Sequence, residues 1–304
     1  GVQTCALPIS SRAFRRIAVG VLVLLVVLVA SGAAVRLTNS GLGCSDWPRC
    51  SATKVVDVTS THAAIEQFNR LFSGLIVIPI AVLLVAACRR EPRRRDLVTP
   101  VWWMLGLFFA EAVVGGLSVL VDLAWFSVGA HFLLAVALIA IAALVVRRSG
   151  ADPAPEPVPV EPWLRRSVAV IAVATVWVLA WGTLLTAAGP HGGDENARRL
   201  GWPIPTVARV HAGSVDLLVA FVLVVTVLAV RHRAAQQVLR GLGWVIGALV
   251  AQGMLGYVQY WRGIPATLVW FHVIGASLVA LAVFELVLTV GRSRRPADPC
   301  PPLP

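Results

Sequence analysis

Eight apolar runs, each close to the length that spans a bilayer, dominate this chain, and a soluble fold has no way to bury all of them. Six of them, 17–35, 71–88, 123–146, 167–188, 241–261 and 263–284, carry no Asp, Glu, Lys or Arg. The other two are interrupted once each, 97–121 by Glu111 and 210–230 by Asp216. Backbone groups in hydrocarbon must pair within their own segment, so runs of this length predict transmembrane helices. Over 304 residues the composition is 58% hydrophobic and 13% charged, which excludes an ordinary soluble enzyme. The formal charge of +11 would suggest a nucleic-acid partner in a soluble protein. Here the arginines fall between apolar runs, so they read as topology signals toward membrane lipid, with no nucleic acid expected.

Basic residues cluster at alternate connections: Arg12, Arg15 and Arg16; Arg89 to Arg95; Arg147, Arg148, Arg165 and Arg166; Arg231, Arg233 and Arg240; Arg292, Arg294 and Arg295. By the positive-inside rule that side is cytoplasmic and carries both termini, and the loops bearing Cys44, Cys50, His62 and His191 face outward. The expected organisation is an N-terminal cytoplasmic segment 1–16, a first four-helix half 17–148 with an outer loop 36–64, and a Pro-rich cytoplasmic linker 149–166. A second half 167–291 and a tail 292–304 follow. Residues 1–10 show no targeting pattern and are read as a fragment end or a sequence-assembly remnant, outside the fold.

The two halves repeat. Glu111 and Gln252, Gly115 and Gly256, and His131 and His272 are each 141 residues apart, and Asn69 and His211 are 142 apart. Both halves run in the same direction, so the expected fold is an all-α integral membrane protein of eight helices. They form two pseudo-symmetric four-helix bundles about an axis along the membrane normal. No run has a Gly- or Pro-broken middle at matching places in both halves, which disfavours a transporter.

Ionisable groups are costly in hydrocarbon, so those found there are functional candidates. His131 lies eight residues into its run with His272 at a matching depth, and His211 stands at the outer end of span six. Imidazoles from alternate helices at one level of a bundle suit a haem clamped between two helices. Zinc is the weaker reading, because no H-E-x-x-H or C-x-x-C pattern occurs.

The most specific stretch is the run from Gly41 to Cys50, followed by His62 and then Glu66-Gln67-Phe68-Asn69-Arg70. These elements resemble the first outer loop and second helix of the haem A synthase (COX15/CtaA) family, in its actinobacterial form with a His four residues before the Glu. The resemblance extends to the Gly115–Leu120 stretch with His131, to the run from Gly189 to Asp194, and to the His211 and His272 helices. It implies a membrane oxidoreductase of the cell membrane that oxidises a methyl group of haem O to the formyl of haem A. One half would hold this substrate and the other a haem b. It also implies a haem O synthase as upstream partner, a ferredoxin or quinol as electron donor, terminal oxidase assembly as destination, and room for a homo-oligomer.

Family members with four haem-ligand histidines have them at the positions of Asn69, His131, His211 and His272, so the first position departs from the pattern. Either Asn69 leaves one axial position open or His62, seven residues earlier, supplies the ligand; His62 is preferred. Glu66 matches the family's outer-loop carboxylate and is the candidate catalytic residue, against pairing with Arg70 four residues on. Cys44 and Cys50 match a cysteine pair of the family, and a disulfide there would cap the haem edge; two reduced thiols are the alternative. Arg36 and Arg209 are candidates for haem propionates or for plain interfacial anchoring. Glu111 is open between structural and proton-handling roles, and Asp216 between a ring-nitrogen partner of His211 and snorkelling. The rival function is a non-catalytic bis-histidine b-type membrane cytochrome that passes electrons.

Overall fold

The computed structural model describes residues 9–90, 94–150 and 156–292. Residues 1–8 and 293–304, and with them Cys5, Cys300, most of the expected N-terminal remnant and nearly all of the tail, lie outside that description. Among the described residues stand eight helices long and apolar enough to cross a membrane. They are α1 Ser11–Leu37, α2 Thr61–Cys88, α3 Arg95–Leu120, α4 Trp125–Ser149, α5 Pro162–Ala188, α6 Ile204–Arg231, α7 Gln236–Trp261 and α8 Ala266–Thr289.

Every apolar run lies largely or wholly within one helix; six of the eight helices begin before the run they contain, while α4 and α8 begin two and three residues after the start of theirs. α1 starts at Ser11, where the Ser10 hydroxyl caps Ala13 N–H at 3.2 Å. α2 starts at Thr61, ten residues before the apolar run, with the Ser60 hydroxyl accepting from Ala63 N–H at 3.1 Å. Counting uncharged residues finds the part of a helix immersed in hydrocarbon; the helix itself continues into the interface, where charge costs little. The extension places His62, Glu66, Asn69 and Arg70 on α2, and it carries His211 two turns inside α6 rather than at its end. α2 passes through Pro79 as one helix.

Within each half the helices pack α1 on α2, α2 on α3, α3 on α4 and α4 on α1, matched by α5 on α6, α6 on α7, α7 on α8 and α8 on α5. Between halves, α1 meets α8, α5 meets α4, and α4 meets α8. Exchanging the halves turns the first of these contacts into the second and leaves the third unchanged. This is a pseudo-two-fold axis between α4 and α8, as the parallel repeat predicts. Trp270 Nε1 donates to Ala30 O at 2.8 Å across this seam, and Arg147 Nη1 donates to Glu285 Oε2 at 2.9 Å.

One element has no sequence signal. Val158–Val160, inside the Pro-rich linker, pairs in parallel with Val290–Arg292 after α8, tying the entry of the second bundle to its exit. A proline survives here because a two-stranded ribbon has only edge strands, and Pro159 needs no ladder donor on its free side.

Each bundle is close-packed at one end only. Phe14, Leu25, Ile76, Leu83, Met104 and Leu138 are among the side chains forming the first core, and Leu164, Ile171, Val222, Leu242, Val245 and Leu286 are among those of the second. All lie toward the end where the arginines cluster. Nearer the other end, full burial lapses on four helices over residues 68–75, 130–137, 208–217 and 270–276. Interiors packed at ordinary density do not leave such a gap, so each bundle carries an open compartment in its loop-side half.

Candidate functional site

The four repeat-related positions sit at one level of these compartments. Asn69, His131, His211 and His272 are the ninth, seventh, eighth and seventh residues of α2, α4, α6 and α8. At 1.5 Å per residue that is about 9–12 Å from the start of each helix.

In the second half the His211 and His272 rings face each other with centroids 6.5 Å apart and planes at 69°. Nδ1 of each is buried without a hydrogen-bond partner among the described residues. Imidazoles on opposite sides of one metal atom, with metal–nitrogen bonds of about 2 Å, have centroids about 6 Å apart, which is the spacing seen. Glycines make the room: a Cβ on Gly182 would come 3.2 Å from His211 Cε1, and one on Gly256 3.1 Å from His272 Cε1. Among the described residues no three His, Cys, Asp or Glu side chains gather to hold a metal ion. Two axial imidazoles alone suit a metal that brings its own equatorial ligands, and the residues therefore fit a haem.

The first half keeps one imidazole and changes the rest. The His131 side chain is 43% exposed into its compartment and lies against Gly115, where a Cβ would stand 2.8 Å from Cε1. Its Nδ1 is 3.1 Å from Glu111 Oε1. Opposite, Asn69 Nδ2 donates to Ser31 Oγ of α1 at 2.8 Å. His62 sits two turns above Asn69, exposed, with Nδ1 2.9 Å from the buried hydroxyl of Ser40.

A folded cap covers this compartment. Cys44 and Cys50 are bridged, both essentially buried, and the loop they close is held by α2. Glu66, 5% exposed, accepts from Cys44 N–H through Oε2 at 2.7 Å. Its Oε1 is ion-paired with Arg70, whose Nε donates at 2.9 Å. Arg70 Nη1 also donates to the carbonyls of Asp46 and Arg49 at 2.9 and 3.0 Å. The Glu66–Arg70 pairing expected from their spacing is thus present, and it clamps the disulfide loop as well. Trp47 descends from the loop onto Gly116 of α3, where any Cβ would strike the indole ring. The cap is joined to the second half by Gly41 N–H donating to Gly193 O at 2.8 Å.

The remaining candidates have hydrogen-bond partners of their own. Arg36 donates to His191 O at 3.1 Å and packs on Gly193, so it fastens the same inter-loop seam. Arg209 is exposed and donates to Pro205 O within its own helix at 3.2 Å. Asp216 is not a partner of His211: five residues on a helix turn it about 140° away, and it accepts instead from Tyr257 Oη of α7 at 3.1 Å. Sequence reasoning missed Trp47, Ser31 and Gly182. Of these, Trp47 alone had a sign in the sequence, the Gly115-Gly116 pair that leaves room for an aromatic side chain of the loop.

The sequence pattern of the COX15-CtaA family, described as cytochrome oxidase assembly protein, matches residues 15–67 and 53–190. The chain belongs to this family. Asn69 and His131 lie within the match; His211 and His272 lie beyond it. Over 139 residues, 45% of the chain, it is 31% identical to the haem A synthase of Lysinibacillus sphaericus, covering 44% of that protein. It is 32% identical over 114 residues, 37% of the chain, to the haem A synthase of Geobacillus kaustophilus, covering 35% of that protein. A protohaem IX farnesyltransferase of Thermus thermophilus is 32% identical over 102 residues, 33% of the chain and 17% of that protein. The chain thus spans well under two thirds of the length of these relatives.

Proposed function

We propose that this protein is a haem A synthase of the cell membrane, an oxidoreductase that takes haem O and oxidises one methyl group to the formyl of haem A. The carrying observation is that one scaffold is used twice, with a bare imidazole pair in one compartment and a capped, asymmetric compartment in the other. His211 and His272 are the residues that would hold haem b, and His131 would hold the iron of haem O. A haem bound there supplies iron-centred redox chemistry and access to oxygen-derived oxidants.

The protein's own share is to bind, orient and exclude water. Gly115, Gly182 and Gly256 admit the imidazoles. The Cys44–Cys50 cap with Trp47 closes the first compartment from the loop side, which keeps a reactive site dry. Glu66, one turn above Asn69 on α2, is the proposed catalytic carboxylate; Cys44 N–H and Arg70 fix its two oxygens, so it is oriented before substrate arrives. At the departing ligand position His62 remains the proposed substitute: it tops the same helix, and Asn69 is already committed to Ser31. A haem O synthase upstream and a ferredoxin or quinol donor complete the proposal.

The test is to co-express the protein with a haem O synthase in a host lacking haem A and to chromatograph the haems it carries. Haem A or its hydroxylated precursor supports the synthase. Haem b alone, with haem O available, supports the electron-passing cytochrome, a reading favoured by the complete imidazole pair in the second half and by Asn69 in the first.

A further inference from the structure

The two bundles put different chemistry into one slot. Four residues before each imidazole-cradling glycine, on the helix preceding the histidine helix, stands Gln252 in the second half and Glu111 in the first. Gln252 Nε2 donates to the backbone carbonyl of His272 at 2.7 Å and leaves that ring's Nδ1 without a partner. A carboxylate has no such donor. Glu111, 7% exposed, turns instead to the ring, its Oε1 3.1 Å from His131 Nδ1 and its Oε2 unpaired among the described residues. Glu111 Oε1 and His131 Nδ1 therefore face each other at hydrogen-bonding distance, and that nitrogen has no other partner among the described residues.

We propose that Glu111 is a positioning residue that makes His131 a more strongly donating axial ligand than His272, so that the two compartments hold haems of unequal potential. The inference rests on the reading of His131 as a haem ligand. A carboxylate accepting from Nδ1–H fixes the tautomer with Nε2 free for the iron and raises the basicity of the imidazole. A more basic axial ligand favours the ferric state and lowers the potential. His272, whose neighbour engages only its backbone, receives no such push. Electrons would then reside preferentially on the second-half haem, and the first-half iron would be the harder of the two to reduce.

The test is a redox titration of the holoprotein with haem in both compartments, followed by visible absorption, with resonance Raman of the iron–imidazole mode. Glu111→Gln should raise the midpoint of one haem by a tenfold change in its reduced-to-oxidised ratio, about 59 mV for one electron, and leave the other unmoved. The same variant should lower the iron–imidazole frequency, and Glu111→Asp should restore part of both shifts. Full haem content with both midpoints unmoved overturns the proposal. If Glu111→Gln loses the haem, Glu111→Asp decides, because a retained haem with wild-type frequency at the lengthened carboxylate distance refutes it. His131→Gly tests the underlying ligand assignment separately: loss of one haem, regained with added imidazole, upholds it. Retention of both haems removes His131 as a ligand, a result distinct from an unmoved potential.

Discussion

Removing Arg70 should loosen the disulfide cap by about two orders of magnitude in opening equilibrium. Its guanidinium neutralises Glu66, which is 5% exposed, and ties the carbonyls of Asp46 and Arg49 to α2. Arg70→Ala leaves the carboxylate buried with Cys44 N–H as its hydrogen-bond partner. Breaking a buried pair by deleting one member costs about 3–5 kcal/mol, because the survivor is an uncompensated charge. Taking the lower figure, since the Arg70 side chain is 18% exposed, and about 1.4 kcal/mol per decade, the opening population rises on the order of 10²-fold. The assay is the rate at which a water-soluble reductant opens Cys44–Cys50, followed by alkylation, under conditions where reclosing outruns reduction. Glu66→Ala together with Arg70→Ala should reduce more slowly than the product of the single effects, because the stranded charge is gone. A reduction rate in Arg70→Ala within twofold of the parent, or effects that simply multiply in the double variant, would refute the clamp.

Gly115→Ala should displace His131 more than Gly256→Ala displaces His272, because the added Cβ meets Cε1 at 2.8 Å in the first case and 3.1 Å in the second. Haem retained per protein should fall in that order, and the reverse order would sink the cradle reading. The Asp57 carboxyl in the cap is held down to about 2 by Thr59 and Lys54. A depressed carboxyl contributes its order above about pH 4 and loses it as pH falls toward 2, so the Thr59 amide should lose exchange protection over that window and Asp57→Asn should abolish the pH dependence. If His62 is the replacement ligand, His62→Ala should lose first-compartment haem and His62→Ala with Asn69→His should regain it; equal haem content in all three proteins would leave the axial position open.

The membrane architecture was legible because hydrocarbon imposes a length and a composition on each span that few other environments impose. The repeat was legible because polar residues inside a membrane are rare enough for one shared offset to carry weight, and the contacts of α4 and α8 follow from it. Helix starts were not legible: α2 begins among polar residues whose helical state depends on the Ser60 cap and on the loop folded against it. The strand at Val158–Val160 was hidden because its partner lies some 130 residues away and neither segment has a pattern of its own. Glu66 and Arg70 could be paired from their spacing, but the contact between Glu66 and Cys44 N–H spans 22 residues of loop and belongs to the tertiary fold. Asp216 misled for a simpler reason, since proximity in sequence to His211 is not proximity on a helix face.

Three of the places where the halves depart from their own symmetry surround one compartment. Asn69 stands where the other half has His211, Glu111 where it has Gln252, and Gly116 where it has Tyr257. The first replaces an imidazole by an amide, the second brings a carboxylate to the ring of the remaining imidazole, and the third opens α3 to Trp47 of the cap. A duplicated bundle needs none of these changes to stay folded, because the apolar cores at the opposite end are built alike in both halves. Together with the disulfide cap above them, these three differences at one level of one bundle fit the proposed division of labour: a pair of imidazoles in one copy, and in the other a capped compartment with one imidazole beside a carboxylate.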